Sequence, residues 1–302
     1  MSQQLLLIVG GESDPNTQRI VDQAHLRGIR YFFWNTDNQG ANQIAWDFQS
    51  PRLDLGDTTI HPTAVYLRYN VFEADPPTPD SPDCDTLTTE ALRQQSIAAF
   101  EMIQSYVLAW PQIKILNRKS MTDANNKCHN LRLAIELGFQ IPQTMVMGDL
   151  TPLARMPSPE THAMKPLGGG AHTVSVGDVY QDIEKLAQLG PMFVQEKLAG
   201  ENLRVFSIGG TPFCFHLQTQ SLDYRDDAMV SVVQVDVPEI LKEPTKAMAE
   251  RIGFDYCALD FRCRQGMHEP VFLEINSFPM FVRFDDAGQN CLADTVLDFL
   301  CH

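Results

Sequence analysis

Two short runs toward the C-terminal end constrain this chain most. Asp260-Phe261-Arg262 and Leu273-Glu274-Ile275-Asn276 both lie in apolar, strand-like stretches, joined by the segment from Cys263 to Pro270. Successive strand residues face opposite sides of a sheet, so Glu274 and Asn276 share a face. An antiparallel hairpin centred near Met267 sets Asp260 opposite Glu274. Three oxygen-bearing side chains then converge on one face of a sheet otherwise made of Val, Phe, Leu and Ile. Two carboxylates held that close repel each other and titrate as a coupled pair. A hard divalent cation removes the conflict, and Mg2+ carrying phosphate prefers oxygen ligands of this kind. The competing reading is the exposed polar face of an ordinary hairpin. The flanking apolar residues argue for a covered sheet instead.

The rest of the chain has room for such a sheet. Its 302 residues allow two ordinary domains or one larger α/β body, and 44% hydrophobic residues argue against global disorder. Asp and Glu number 38 against 23 Lys and Arg, a formal charge of −15. That balance argues against a broad nucleic-acid surface, which needs excess positive charge to replace phosphate counterions. It still admits an anionic small ligand in a cleft lined by a few Lys and Arg. No apolar run approaches the ~20 residues needed to span a bilayer. The opening MSQQLLLIVGG lacks the basic region and cleavage site of a secretory signal, and its LLLIV reads as a buried strand. Seven cysteines, none in a CxxC pair, read as reduced thiols of a cytoplasmic protein without zinc-ligand spacing.

Along the chain, a strand at 5–9, a helix at 16–27 and strands at 29–35 and 64–69 predict a small parallel sheet open at its C-terminal edge. The segment 73–90 holds Pro76, Pro77, Pro79 and Pro82, six carboxylates and no Lys or Arg. It reads as a solvated loop, with a lid or partner-binding loop as the alternative. A helix over 87–110 and a short strand at 113–116 follow. Ser120 and Asp123 then resemble a capping box for a helix with Met121, Ala124, Cys128, Leu131 and Ile135 on one face. Beyond residue 140 the pattern is strand-rich: 144–147, 163–167, 172–176 and 192–198, with a helix near 178–189. Strands at 203–210, 212–219 and 229–235 extend the sheet, and helix 239–252, strands 256–262 and 271–276 and helix 290–301 end the chain. The pattern is an α/β domain followed by an α+β body, with a boundary near residue 118.

Lysines and arginines supply the remaining candidates. Lys165 ends a strand just before Gly168, Gly169 and Gly170, where a glycine turn lets backbone N–H groups approach phosphate. Lys127 follows Asn125 and Asn126 on the preceding helix. Each is weak alone, since a lone lysine is usually a solvated charge, and neither the Walker A order nor the Rossmann fingerprint is present. Arg204, Arg225 and Arg283 can clamp phosphate or carboxylate, or pair with local acids such as Asp223, Asp226 and Asp227. His172, beside the glycines, reads first as a loop or surface residue.

Taken in order, these features resemble the ATP-grasp superfamily, and within it the RimK-type carboxylate–amine ligases and the related peptide-modifying ligases. The resemblance rests on KSMTDANNKCHNLRLAIELGFQIPQTMV, FVQEKLAGENLRVFSIGGTPF, CALDFRC and VFLEINSFPMF, and covers about residues 112–302. It implies an ATP-grasp fold behind an N-terminal α/β pre-ATP-grasp domain (1–117). A lid and central part (118–200) and a C-terminal subdomain with the metal site (201–302) follow. It also implies that Lys127, Lys165 and the glycines 168–170 touch nucleotide phosphates. Gln195, Glu196 and Leu198 would form the adenine hinge, and Glu201 would reach the ribose. Arg225 would hold the γ-phosphate, and Arg204 and Arg283 would act at the reacting centre. Asp260, Glu274 and Asn276 would hold two Mg2+ ions, with Mn2+ as a substitute. Asn202 departs from the Asp common in RimK-type enzymes.

The implied activity is ATP-dependent joining of a carboxylate to an amine through an acyl phosphate, with release of ADP and phosphate. The partner is then a small carboxylate or amino acid, or a precursor peptide or protein cross-linked through its side chains by amide or ester bonds. A non-catalytic ATP-binding regulator is the reading from a different class. Nucleic acid and membrane are not expected partners, and a homo-oligomer is compatible with the sequence.

Overall fold

The computed structural model describes residues 4–37, 43–68, 86–120, 126–167, 173–179, 191–219, 221 and 230–302. Gly168 to Gly170, His172, Arg225 and most of the acidic proline-rich segment lie outside these residues. The chain divides into two compact units. One comprises Met1–Asp123, Gly253–Tyr256 and Met280–His302; the other comprises Ala124–Ile252 and Cys257–Pro279.

The first unit is built on a parallel sheet. Its strands are β1 (Leu6–Gly10), β2 (Tyr31–Asn35), β6 (Ala64–Leu67) and β7 (Lys114–Ile115), in the order β2-β1-β6-β7. β1 is buried at every position, as a central parallel strand covered on both faces must be. Helix α1 (Pro15–Leu26) follows β1 and is capped by Asp14, whose carboxylate accepts from the backbone N–H of Asn16 and Thr17. Between β2 and β6 stands a three-stranded antiparallel meander absent from the sequence reading: β3 (Ile44–Trp46), β4 (Leu53–Leu55) and β5 (Thr58–Ile60). Strands of three residues show too little alternation to be recognised in sequence. Their Leu53, Leu55 and Ile60 nevertheless share a core with Trp34, Ile103 and Tyr106, the last two from the long helix α2 (Thr86–Ala109).

The last 23 residues also belong to this unit, as the helices Val282–Ala287 and Cys291–Cys301. The Asn16 amide oxygen accepts from the backbone N–H of Phe281 and Val282 (2.7 and 3.3 Å). Arg19 pairs with Asp285 at 2.8 Å and with Asp286, and Arg27 pairs with Asp294 and Asp298. Asp285 is fully buried and accepts from the backbone N–H of Leu292 and Ala293, so it serves the start of the final helix.

The second unit carries two antiparallel sheets. The smaller, in the order β10-β9-β11-β8, holds β8 (Thr144–Met147), β9 (His162–Pro166), β10 (Val174–Ser175) and β11 (Met192–Glu196). The larger holds β12 (Asn202–Ile208), β13 (Thr211–Gln218), β14 (Ser231–Val235), β15 (Tyr256–Gln265) and β16 (His268–Ser277), in the order β14-β13-β12-β15-β16. The strand read at 172–176 is shorter than expected. It gives way at Val176 to one helical turn, Val176–Val179. Helix α3 spans Lys127–Glu136, and Met121, Asp123 and Ala124 of the capping-box reading lie outside the described residues. Its N-cap is Asn126, which accepts from the backbone N–H of His129 at 2.9 Å. The helix buries Asn130, Leu131, Leu133 and Ala134, while Cys128 and Ile135 are exposed, so the predicted apolar face is rotated.

Candidate functional site

β15 and β16 form the hairpin that bears the acidic residues. The turn is the two-residue Gly266–Met267, with Gln265 opposite His268. Gly266 has φ +53°, the left-handed backbone that such tight turns require. Counting outward from this turn, a regular ladder would put Asp260 opposite Leu273. Instead the register shifts between Asp260 and Phe261: Phe261 faces Phe272, but Asp260 faces Glu274. Leu273 is the extra residue of a β-bulge. The bulge turns Glu274 away from the face of Phe272 and onto the face of Asp260. Asn276, opposite Ala258, follows on that same face. The hairpin arithmetic thus reaches the right pairing by a route that the sequence alone does not display. On the opposite face Phe261 and Phe272 pack against Phe139, with ring centroids 5.6 Å from it.

The three side chains are within hydrogen-bonding reach of one another. Asn276 Nδ2 donates to Asp260 Oδ2 at 3.0 Å and to Glu274 Oε1 at 3.3 Å. Cations arrive from three other elements. Lys165 Nζ, from β9, lies 3.2 Å from Glu274 Oε2, and Lys127 Nζ, from α3, lies 3.6 Å from the same oxygen. Arg204, buried on β12, places its guanidinium 3.2 Å from Asp260. Burial alone would raise the Glu274 carboxyl, but the attraction of Lys165 and Lys127 and the hydrogen bonds from Asn276 and Lys165 bring it down to about 2. Lys127 occupies the first helical position of α3, whose first turn holds no acidic residue. A cation there opposes the helix dipole. Its approach to Glu274 compensates for that placement and keeps the ammonium at the site.

The donor set suits a hard cation. Two carboxylates and one amide are oxygen donors, and the Asn276 amide need only turn its oxygen inward. Among the described residues no group of three or more His, Cys, Asp and Glu side chains is placed to hold a metal ion, so this set depends on the Asn276 amide as its third donor.

Several of the other expected residues have partners of their own. Gln195 and Glu196 end β11, but their side chains are engaged. Gln195 Nε2 donates to Thr144 Oγ1 at 3.0 Å, and Glu196 Oε1 accepts from Arg264 and from the Gln143 backbone N–H, each at 3.0 Å. The hydrogen bond from Arg264, aided by the one from Gln143, holds the Glu196 carboxyl below its ordinary range. Leu198 is buried. Glu201 Oε2 meets His216 Nε2 at 3.1 Å, and its backbone is stitched to the hairpin turn, donating to Gly266 O and accepting from Cys263 N. Arg283 is an exposed residue of helix Val282–Ala287, in the first unit. Gly168, Gly169, Gly170 and Arg225 lie outside the described residues. Sequence reasoning missed His216 and Arg264. A histidine within the apolar run PFCFHLQT was a signal for the first. Arg264 offered none, because Glu196 stands 68 positions away.

No protein-family model matches the chain, and no curated protein matches it. Solved structures do. The ATP-grasp ligase PsnB, complexed with minimal precursor, is similar at a TM-score of 0.76 and 21% identity, with 98% of each chain covered. The macrocyclase MdnC from Microcystis aeruginosa MRC, bound with precursor peptide MdnA, gives 0.75 and 20%, covering 99% of this chain and 100% of that one. D-alanyl-alanine synthetase A from Vibrio cholerae O1 biovar eltor gives 0.61 and 13%, covering 99% and 98%. These likenesses span both units, so the chain has the fold of the ATP-grasp ligases.

Proposed function

We propose that this protein is an ATP-dependent, ADP-forming ligase that activates a carboxylate and joins it to an amine. The observation that carries the reading is the gathering of Asp260, Glu274 and Asn276 on one sheet face, with Lys127 and Lys165 both on Glu274. A triphosphate with its metal is the ligand that satisfies such a set, because it brings anion to the lysines and cation to the carboxylates.

On this reading Asp260, Glu274 and Asn276 hold Mg2+, as two ions replaceable by Mn2+, and Lys127 and Lys165 exchange Glu274 for phosphate oxygens. When bound, the metal neutralises charge on the phosphates as one phosphoryl group passes to the substrate carboxylate, and the amine then displaces phosphate. Arg204 is preorganised beside Asp260 to stabilise charge that develops at the reacting centre. The hinge 195–198 takes the base through its main chain, since the side chains of Gln195 and Glu196 are occupied. Glu201, steadied by His216, takes the ribose hydroxyls. Gly168 to Gly170 and Arg225 complete the phosphate contacts. Residues 118–200 act as lid and hinge, and 201–302 include the metal strands.

A peptide or protein carboxylate is the favoured substrate. The supporting observation is that two ligases matching this chain over nearly its whole length are seen with precursor peptides. The test is to incubate the protein with ATP and Mg2+, together with pooled amino acids or with acidic candidate peptides, and to assay ADP, AMP and phosphate. Substrate-dependent ADP that disappears in Glu274→Gln supports the reading. AMP with pyrophosphate rejects it, and ADP formation with free amino acids alone rejects the peptide substrate.

A further inference from the structure

The Glu196 carboxylate is shared between three elements of the second unit. It ends β11, accepts from Arg264 near the turn end of β15, and accepts from the Gln143 backbone N–H at the entrance to β8. The backbone is closed as well, with Glu196 N donating to Gln143 O at 3.1 Å. Along β11, Phe193 stands three residues away and pairs with Lys165 on β9. Along β15, Asp260 stands four residues from Arg264. Side chains of the small sheet reach the acidic hairpin at Lys165–Glu274 and at Glu196–Arg264, while backbone hydrogen bonds tie the hairpin to the segments that flank the sheet, at Gln140 and at Gly200–Glu201. At strand rise the two tethers are separated by roughly 10–13 Å. The backbone bonds fix the segments before β8 and after β11, whereas the two side-chain contacts act on β9 and β11 themselves. His162, opposite Glu196 on β9, and Glu269, across the hairpin from Arg264, are the other titratable groups beside the pair.

We propose that Glu196 and Arg264 are a positioning pair, a latch that holds the Lys165 strand in register with Glu274. The Glu196 carboxylate then acts on the hinge and not on a ligand. The consequence for nucleotide binding rests on the function proposed above; the latch itself does not. An isolated surface pair contributes little because it must order two mobile side chains. Here one partner is already fixed by a backbone hydrogen bond, which lowers that cost.

The test uses the full chain and three variants: Arg264→Met, Arg264→Lys and Glu196→Gln. Three quantities are read: amide exchange over residues 192–198, thermal midpoint, and MgADP affinity by calorimetry. Exchange over 192–198 should rise about fivefold in Arg264→Met, the scale of a ~1 kcal/mol contact. It should be largely restored in Arg264→Lys and be intermediate in Glu196→Gln, which keeps the acceptor for Gln143. The midpoint should move little, while MgADP binding should weaken about fivefold in Arg264→Met, with most affinity recovered in Arg264→Lys. Unchanged exchange in Arg264→Met overturns the latch. So does a fall in midpoint with MgADP affinity intact, which marks a merely structural contact. If the unmodified protein binds no MgADP, the nucleotide reading fails, and the exchange measurement still decides the latch.

Discussion

Arg204 and Asp260 form an ion pair at 3.2 Å between adjacent strands of the five-stranded sheet, with the guanidinium side chain only 5% exposed. Removing one member of a buried pair takes the counter-charge from the other, at a cost of ~3–5 kcal/mol. Arg204→Met should therefore lower unfolding stability by about 3 kcal/mol in urea melts and, on the function proposed above, abolish substrate-dependent ADP release. Added Mg2+ should restore part of the lost stability by giving Asp260 a new counter-charge. A variant of unchanged stability would contradict the pairing.

Glu274 predicts a definite pH dependence. Burial works against its ionised form, but Lys165, Lys127 and the Asn276 amide outweigh burial and hold the carboxyl at about 2, below the ordinary 4.5. A depressed folded value means the contribution is complete above the ordinary value and is lost as pH falls from there toward 2. Its size is on the order of 3 kcal/mol. Urea unfolding of the protein and of Glu274→Gln should differ most near neutral pH, and the two should converge as pH drops below about 4. A gap that stays constant with pH would refute it.

In the first unit, Asp14 does two jobs. It caps α1 and accepts from Arg68 Nε at 2.7 Å. Burial raises its carboxyl, but Arg68 and the hydrogen bonds from Asn16 bring it below the ordinary carboxylate range. Asp14→Asn should keep most of the cap and lose the ion pair, whereas Asp14→Ala loses both. Chemical denaturation should show a loss of ~2 kcal/mol for alanine and about half that for asparagine.

Asp285 tests the attachment of the C-terminal helices. It is fully buried, accepts from two backbone N–H groups and meets Arg19 at 2.8 Å. Asp285→Ala leaves those donors unsatisfied and should cost ~3 kcal/mol or more. Limited proteolysis should then cut first within 280–302. Cleavage elsewhere first would argue against this role.

The acidic centre was legible in sequence because it depends on local facts. Alternation along a strand put Glu274 and Asn276 on one face, and apolar neighbours marked the sheet as covered. The start of α3 was not legible. Asn126 and the Ser120 segment both offer cap chemistry, and only packing selects between them. The β3–β5 meander escaped because three-residue strands carry no period. Arg264 escaped because an arginine near a turn looks like any solvated charge until its partner is known.

By itself, the sequence determined most of the longer strands and helices and the shared face of Glu274 and Asn276, since each follows from side-chain chemistry and short-range periodicity. Tertiary structure decided what meets what. Lys165 reaches Glu274 across 109 positions, Leu273 is expelled as a bulge to set the register, and Met280–His302 joins the N-terminal sheet. Contacts between residues so far apart depend on how whole sheets and helices pack, and the local pattern of the chain carries no record of that packing.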